Sequence, residues 1–202
     1  MLRFGLTGGI ASGKSAVAAM LREMGFAVLD ADSLAHRLIE PGQPTYNEVL
    51  QEFGQAVRAP DGRVDRGKLS AIVFADRSRL DRLNAIVHPR VAEVVFRQFE
   101  DWQRGGTRDA AFVEAALLIE SGIHKKLDGL VVTWCEPEQQ LQRLLARGLS
   151  EAEARCRIAA QLPAEEKLLL ATEKIDCSGS LEQTRRQVEA LAAKLRRGAV
   201  RS

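Results

Sequence analysis

A chain of 202 residues, 46% hydrophobic and 28% charged, suits one folded domain carrying an insertion and excludes a disordered polymer. Its 29 basic and 27 acidic residues leave a formal charge of +2, which argues for neither nucleic acid nor a membrane surface, so an anionic ligand must be met by local charge. Cys135, Cys156 and Cys177 lack zinc or redox spacing, the N-terminus lacks a signal-peptide core and no apolar run spans a bilayer; a cytoplasmic protein with reduced thiols and no obligate protein partner is expected.

Leu2 to Thr7 is predicted as a short buried strand and Ser15 to Met24 as a helix, with Gly25 as its stop. Phe26 to Asp30 (FAVLD) makes a second apolar strand, so strand, helix and strand form a βαβ unit and imply a parallel sheet. From Ser33 to about Arg108 the pattern is helical, punctuated by PGQP at 41–44 and APDGR at 59–63. That stretch is too long for one crossover and is expected to be a mostly helical insertion belonging to a second lobe. Strands resume at Ala110 to Ala115 and Gly129 to Cys135, and Glu136 with Pro137 opens a helix through about Arg147. Gly148 interrupts it, and Ser150 with Glu153 has capping-box spacing for the next helix. Glu173 to Cys177 is a last short strand, and Leu181 to Arg197 a terminal helix. The basic cluster from Lys194 to Arg201 is expected as a solvated helix end, which the helix dipole favours.

Between the first strand and its helix, Gly8-x-x-x-x-Gly13-Lys14-Ser15 satisfies the P-loop pattern. Glycines let successive backbone N–H groups converge on phosphates without Cβ obstruction, and the helix N-terminus adds partial positive charge. Gly8, Gly9, Ile10, Ala11, Ser12, Gly13, Lys14, Ser15 and Ala16 are therefore expected to cradle a nucleoside triphosphate. Lys14 can reach the β- and γ-phosphates, and the Ser15 hydroxyl can ligate Mg²⁺.

The loop alone leaves motor, GTPase, transporter ATPase and small-molecule kinase open. A GTPase would need a switch motif and then a base reader; Glu173-Lys174-Ile175-Asp176 and Asp176-Cys177-Ser178-Gly179 overlap in the wrong order. Asp30-Ala31-Asp32 closes the second strand, and ligands of open parallel sheets lie outside the strands' carboxyl ends. Asp32, further out, is assigned as the base that takes the proton of an acceptor hydroxyl. Asp30 is read as a cap for a helix starting near Ser33.

The segments LTGGIASGKSAVA, LDADSLAH, EPGQPTYNEVLQEFG, VDRGKLSAIVF and LNAIVHPRV come first in a series that continues with VEAALLIESGIHKKLDGLVVTWCEPEQQLQRLLAR, LSEAEARCRIAAQLPAEEK and IDCSGSLEQTRRQV. In that order, over roughly residues 2 to 192, they resemble the dephospho-coenzyme A kinase family. The combination of the loop with Asp-Ala-Asp, His88-Pro89 and the Gln161…Lys167…Ile175-Asp176 ending carries the likeness. The chain departs from the family at Glu114, where an Asp is usual, at Ala116 in place of Pro, and at Cys177 in place of Asn.

The resemblance implies an α/β fold: a P-loop NTPase three-layer core with a five-stranded parallel sheet, a helical acceptor-binding insertion and a helical lid. The core would comprise 1–32, 109–140 and 173–202, the coenzyme-A-binding lobe 33–108 and the lid 141–172. The implied reaction moves the γ-phosphate of ATP, with Mg²⁺, to the ribose 3′-hydroxyl of dephospho-coenzyme A. Arg143 and Arg147, four apart in the lid, would close over the phosphates, Arg143 as the catalytic one, the alternative being two solvated arginines on an amphipathic helix. Asp32, His36, His88, Leu117 and Glu120 fall on the acceptor side, although His88 before Pro89 reads equally as a helix boundary or a packed imidazole and His36 equally as surface helix. His124 is structural. Two alternatives remain open at this point: a kinase for another acceptor such as a nucleoside monophosphate, and a non-enzymatic ATP-dependent switch.

Overall fold

The computed structural model describes residues 1–107 and 109–198; Arg108, the expected end of the insertion, and Arg201, the end of the basic cluster, lie outside the described residues. The chain runs through β1 (Leu2–Gly8), α1 (Lys14–Glu23), β2 (Ala27–Asp30), α2 (Ala31–Leu38), α3 (Pro44–Phe53), α4 (Arg66–Ala75) and α5 (Arg77–Arg104). It continues with β3 (Ala110–Glu114), β4 (Gly129–Trp134), α6 (Pro137–Leu145), α7 (Glu151–Ala159), α8 (Ala164–Leu169), β5 (Glu173–Asp176) and α9 (Leu181–Arg196).

The strands form one parallel sheet in the order β2-β3-β1-β4-β5. Their near-continuous apolar runs follow from burial on both faces. Alternation then sorts the side chains. Phe4 and Leu6 of β1, Ala110 and Phe112 of β3, Val131 of β4 and Ile175 of β5 join one core cluster. Into it α1 sends Val17, Ala18, Met20 and Leu21, and α9 sends Val188, Leu191, Ala192 and Leu195, each set at helical spacing. Phe112 anchors this cluster, with ring centroids 5.8 Å from Phe4 and 5.6 Å from Phe26. On the other face, Leu118, Leu127 and Leu130 close over Gly5, where a Cβ would come within 3.1 Å of each. The fold is thus a layered α/β P-loop architecture with a five-stranded parallel sheet.

The chain divides into two compact units, Met1–Asp30 with the chain from Gln98 onward, and Ala31–Arg97. The second unit is helical. Tyr46, Val49, Phe53, Val57, Val64, Leu69 and Val73 are buried there. Its APDGR segment turns back on itself through an antiparallel bridge between Arg58 and Val64, and the Tyr46 hydroxyl donates to the Gly62 carbonyl.

Two local expectations are corrected. His88-Pro89 is not a helix boundary: Pro89 lies inside α5, which runs for 28 residues. Proline forfeits the hydrogen bond to the Ala85 carbonyl, yet Val87, Val91, Val95 and Phe99 are all buried at intervals of four, and this stripe favours an unbroken helix. Similarly, the helix expected to start near Ser33 begins at Ala31, directly after β2, so Asp32 lies in its first turn. The Ser150–Glu153 capping box is formed, and a second, Ser180 with Gln183, opens α9.

Candidate active site

The loop that leaves β1 and feeds α1 is held in shape from several directions. Gly13 caps α1 at φ +97°, and a Cβ there would lie 2.7 Å from both Cβ and Sγ of Cys177. At Gly8 a Cβ would lie 2.2 Å from Thr133 Oγ1, so the two glycines that define the motif are also required by packing. Ser12 Oγ and Thr133 Oγ1 share a buried hydrogen bond of 2.8 Å, and Thr133 Oγ1 also donates to the Thr7 carbonyl. Inside the loop, the Ser12 amide donates to the Gly9 carbonyl at 3.1 Å.

The charged centre is Glu114, buried at 4% exposure at the carboxyl end of β3 and in register with Leu6 of β1 and Asp30 of β2. Lys14 Nζ donates to its Oε1 at 3.0 Å, and Arg22 Nη2 to its Oε2 at 3.4 Å. A buried carboxylate with two cationic partners avoids the penalty of a lone buried charge. The longer side chain at this position therefore still reaches the loop lysine.

The outer rim of the loop is occupied by side chains from far along the chain. Gln161 Oε1 accepts from the Ile10 amide at 2.7 Å, and Gln140 Nε2 donates to the Ile10 carbonyl at 2.5 Å. Arg143 Nη1 donates to the Ala11 carbonyl at 3.1 Å and its Nη2 to the Cys177 carbonyl at 2.7 Å. Cys135 Sγ lies 3.9 Å from the Ala11 carbonyl. Burial raises the Cys135 thiol pKa and pushes that of Cys177 up to about 11, which favours the protonated thiol at both walls of the loop.

Behind the rim, Lys167 is fully buried, donating to Glu120 Oε1 and to the Ala116 carbonyl, both at 2.9 Å. Glu120 also accepts from the Leu162 amide at 3.1 Å. The Glu120 carboxylate thereby ties α8 and the chain before it to the segment after β3.

The residues expected from the sequence fall as follows. Gly8 to Ala16 form the loop and first turn of α1, with Ser15 exposed. Arg143 lies in α6 against the loop; Arg147 is exposed in the turn beyond that helix. Leu117 is half-buried and Glu120 is engaged as above. In the second unit, Asp32 is half-buried and His36 exposed one turn later in α2, while His88 lies in α5. His124 Nδ1 meets the Leu118 carbonyl at 3.2 Å. Gln140, Thr133 and Arg22 are not marked by the sequence, and Gln161 and Lys167 are marked there by the family likeness without a role attached. Nothing in a polar residue's local pattern marks it as a long-range partner.

A helix N-terminus, a glycine loop and a lysine poised on a buried carboxylate make a phosphate-transfer site. The family model for dephospho-CoA kinase matches residues 2–183. The chain belongs to the dephospho-CoA kinase family. A dephospho-CoA kinase of Symbiobacterium thermophilum is 51% identical over 187 residues, covering 92% of this chain and 78% of that one. The crystal structure of TT1252 from Thermus thermophilus matches with a TM-score of 0.80 at 38% identity, covering 96% of this chain and 97% of that one. The dephospho-CoA kinase from Campylobacter jejuni gives a TM-score of 0.72 at 26% identity, covering 98% of both chains. Among the described residues, no helix of this family member is long and apolar enough to cross a membrane.

Proposed function

We infer that this chain phosphorylates the ribose 3′-hydroxyl of dephospho-coenzyme A with ATP, giving coenzyme A and ADP in the last step of coenzyme A biosynthesis, in the cytoplasm. The observation that carries the reading is the loop itself, formed at the carboxyl end of β1 with Lys14 on Glu114, within a chain whose family match runs nearly end to end.

Phosphoryl transfer is catalysed chiefly by positioning and by neutralising charge on the migrating group. Amides of the loop other than that of Ile10, which donates to Gln161, and that of Ser12, which donates to Gly9, join the Lys14 ammonium in holding the donor phosphates, with Lys14 exchanging its Glu114 contact for phosphate oxygens. Among the described residues no cluster of three or more His, Cys, Asp or Glu could hold a metal by itself. The Ser15 hydroxyl, the nearby Glu114 carboxylate and the triphosphate's own oxygens nevertheless suit Mg²⁺, which takes few protein ligands and keeps several waters. When bound, Mg²⁺ supplies charge neutralisation across the phosphates.

Asp32 takes the proton as the acceptor oxygen bonds to the γ-phosphorus; the bond from that phosphorus to the β–γ bridging oxygen breaks, and ADP leaves. Arg143, already at the Ala11 carbonyl, has further N–H donors for phosphate oxygens, and Arg147 follows it in the lid, residues 141–172. His36, His88, Leu117 and Glu120 are assigned to acceptor binding, with residues 33–108 as the coenzyme-A-binding lobe.

A panel of acceptors offered with ATP and Mg²⁺, read by ADP release, tests the reading. Turnover with dephospho-coenzyme A alone is the expected result. Turnover with a nucleoside monophosphate in its place, or with no acceptor in the panel, overturns it.

A further inference from the structure

The P-loop pattern leaves position 9 free, yet this chain places glycine there. The structure supplies a reason. A Cβ on Gly9 would lie 2.6 Å from Gln140 Nε2 and 3.9 Å from Gln161 Oε1. Two glutamines, one in α6 and one between α7 and α8, lie over this residue and grip the next one from both of its backbone groups.

Peptide planarity gives that grip a consequence. In a trans peptide the C=O and N–H point to opposite sides. Gln161 draws the Ile10 N–H outward, so the Gly9 carbonyl of the same peptide turns inward, where it accepts the Ser12 amide at 3.1 Å. Gln140 draws the Ile10 carbonyl outward, so the Ala11 N–H turns to the opposite side. Arg143 then holds the Ala11 carbonyl, and Ala11 itself takes φ +60°, a left-handed conformation that costs a non-glycine residue free energy. A strained turn persists where its surroundings over-determine it, and here three side chains do so.

We propose that Gln140 and Gln161 are positioning residues that set the orientation of two successive loop peptides, and that Gln161 couples the α7–α8 segment to the triphosphate grip. The segment can transmit such a constraint because it is itself anchored: Lys167 and the Leu162 amide both bind Glu120. Neither glutamine touches the reacting atoms. Their effect is on how the loop presents its N–H groups to phosphate oxygens. The proposal rests on the triphosphate half of the function above and on no particular acceptor.

Direct calorimetry of ATP binding, without acceptor, reads the effect separately from turnover. Gln161→Leu should raise the ATP Kd about tenfold, the loss of roughly one well-made hydrogen bond's worth of loop order. The KM for dephospho-coenzyme A should stay within about twofold and the thermal midpoint nearly unchanged. Gly9→Ala should show the same ATP-selective defect, because its Cβ displaces Gln140. Combining it with Gln140→Ala should then add nothing beyond Gln140→Ala alone, since the obstructed side chain is gone. An ATP Kd within twofold of the parent for Gln161→Leu would overturn the proposal. So would a parallel rise in both substrates' constants with a lower melting point, or Gly9→Ala and Gln140→Ala effects that multiply. Because ATP affinity is read alone, these outcomes stand whichever acceptor the panel identifies.

Discussion

The phosphate loop and the second unit, Ala31–Arg97, are stabilised in contrasting ways. The loop is tied to residues far along the chain: Ile10 to Gln161 across 151 positions, Ala11 to Arg143 across 132, Lys14 to Glu114 across 100. Most of these contacts are partly buried, where an electrostatic interaction is strong and an unpaired group costly. The second unit has an apolar core of its own, and the charged pairs on it are solvent-exposed, such as Arg97 with Glu93 at 2.8 Å and Arg66 with Glu40 at 3.2 Å. Exposed pairs of that kind contribute little and are screened by salt. One region is built for a fixed geometry around a small charged group. The other carries exposed pairs that leave its surface less tightly determined.

The largest expected effect tests the base proposed in the second unit. Asp32→Asn should lower kcat on the order of 10²–10⁴-fold and leave the ATP Kd unchanged. Near-normal turnover would remove Asp32 as the base and confine the chemistry to the loop side of the comparison. Next, Lys167→Met should cost about 3 kcal/mol in denaturant unfolding, because it strips Glu120 of its buried cation. A loss no larger than that of an exposed pair would show that the long-range ties are not what distinguishes the loop side.

Arg143→Ala is expected to reduce kcat on the order of tenfold to a hundredfold, more than it weakens dephospho-coenzyme A binding. Steady-state kinetics against both substrates check this; weaker acceptor binding with unchanged kcat would refute it. The smallest effect belongs to Arg66→Ala, expected within about 0.5 kcal/mol of the parent in the same unfolding assay. A larger loss would mean that the second unit's surface pairs form a cooperative network.

How much of this was legible beforehand depends on the kind of residue. The strands at 2–8, 110–114 and 129–134 are mostly apolar runs, and α1 and α9 carry their buried residues at helical spacing, so local periodicity sufficed to within a residue or two. The Ser150–Glu153 box was legible for the same reason, since both partners lie within one turn. His88-Pro89 misled because a proline's local preference was outweighed by a buried stripe extending either side of it. Among the site residues, Lys14 and the glycines belong to a contiguous motif. Gln140, Gln161 and Lys167 sit on helices or in a linker whose polar residues look alike until the chain is folded.

By itself the sequence determined the five strands, the parallel βαβ start, the phosphate loop and the family to which the chain belongs. The tertiary structure decided which side chains hold that loop: that Gly9 is small for Gln140, that Glu114 shares its charge between Lys14 and Arg22, and that a lysine in a polar helix is fully buried. Hydrophobic burial follows a periodic pattern written into neighbouring residues. A hydrogen bond between residues 151 positions apart depends on where two distant backbones pass each other, and only the folded chain brings them together.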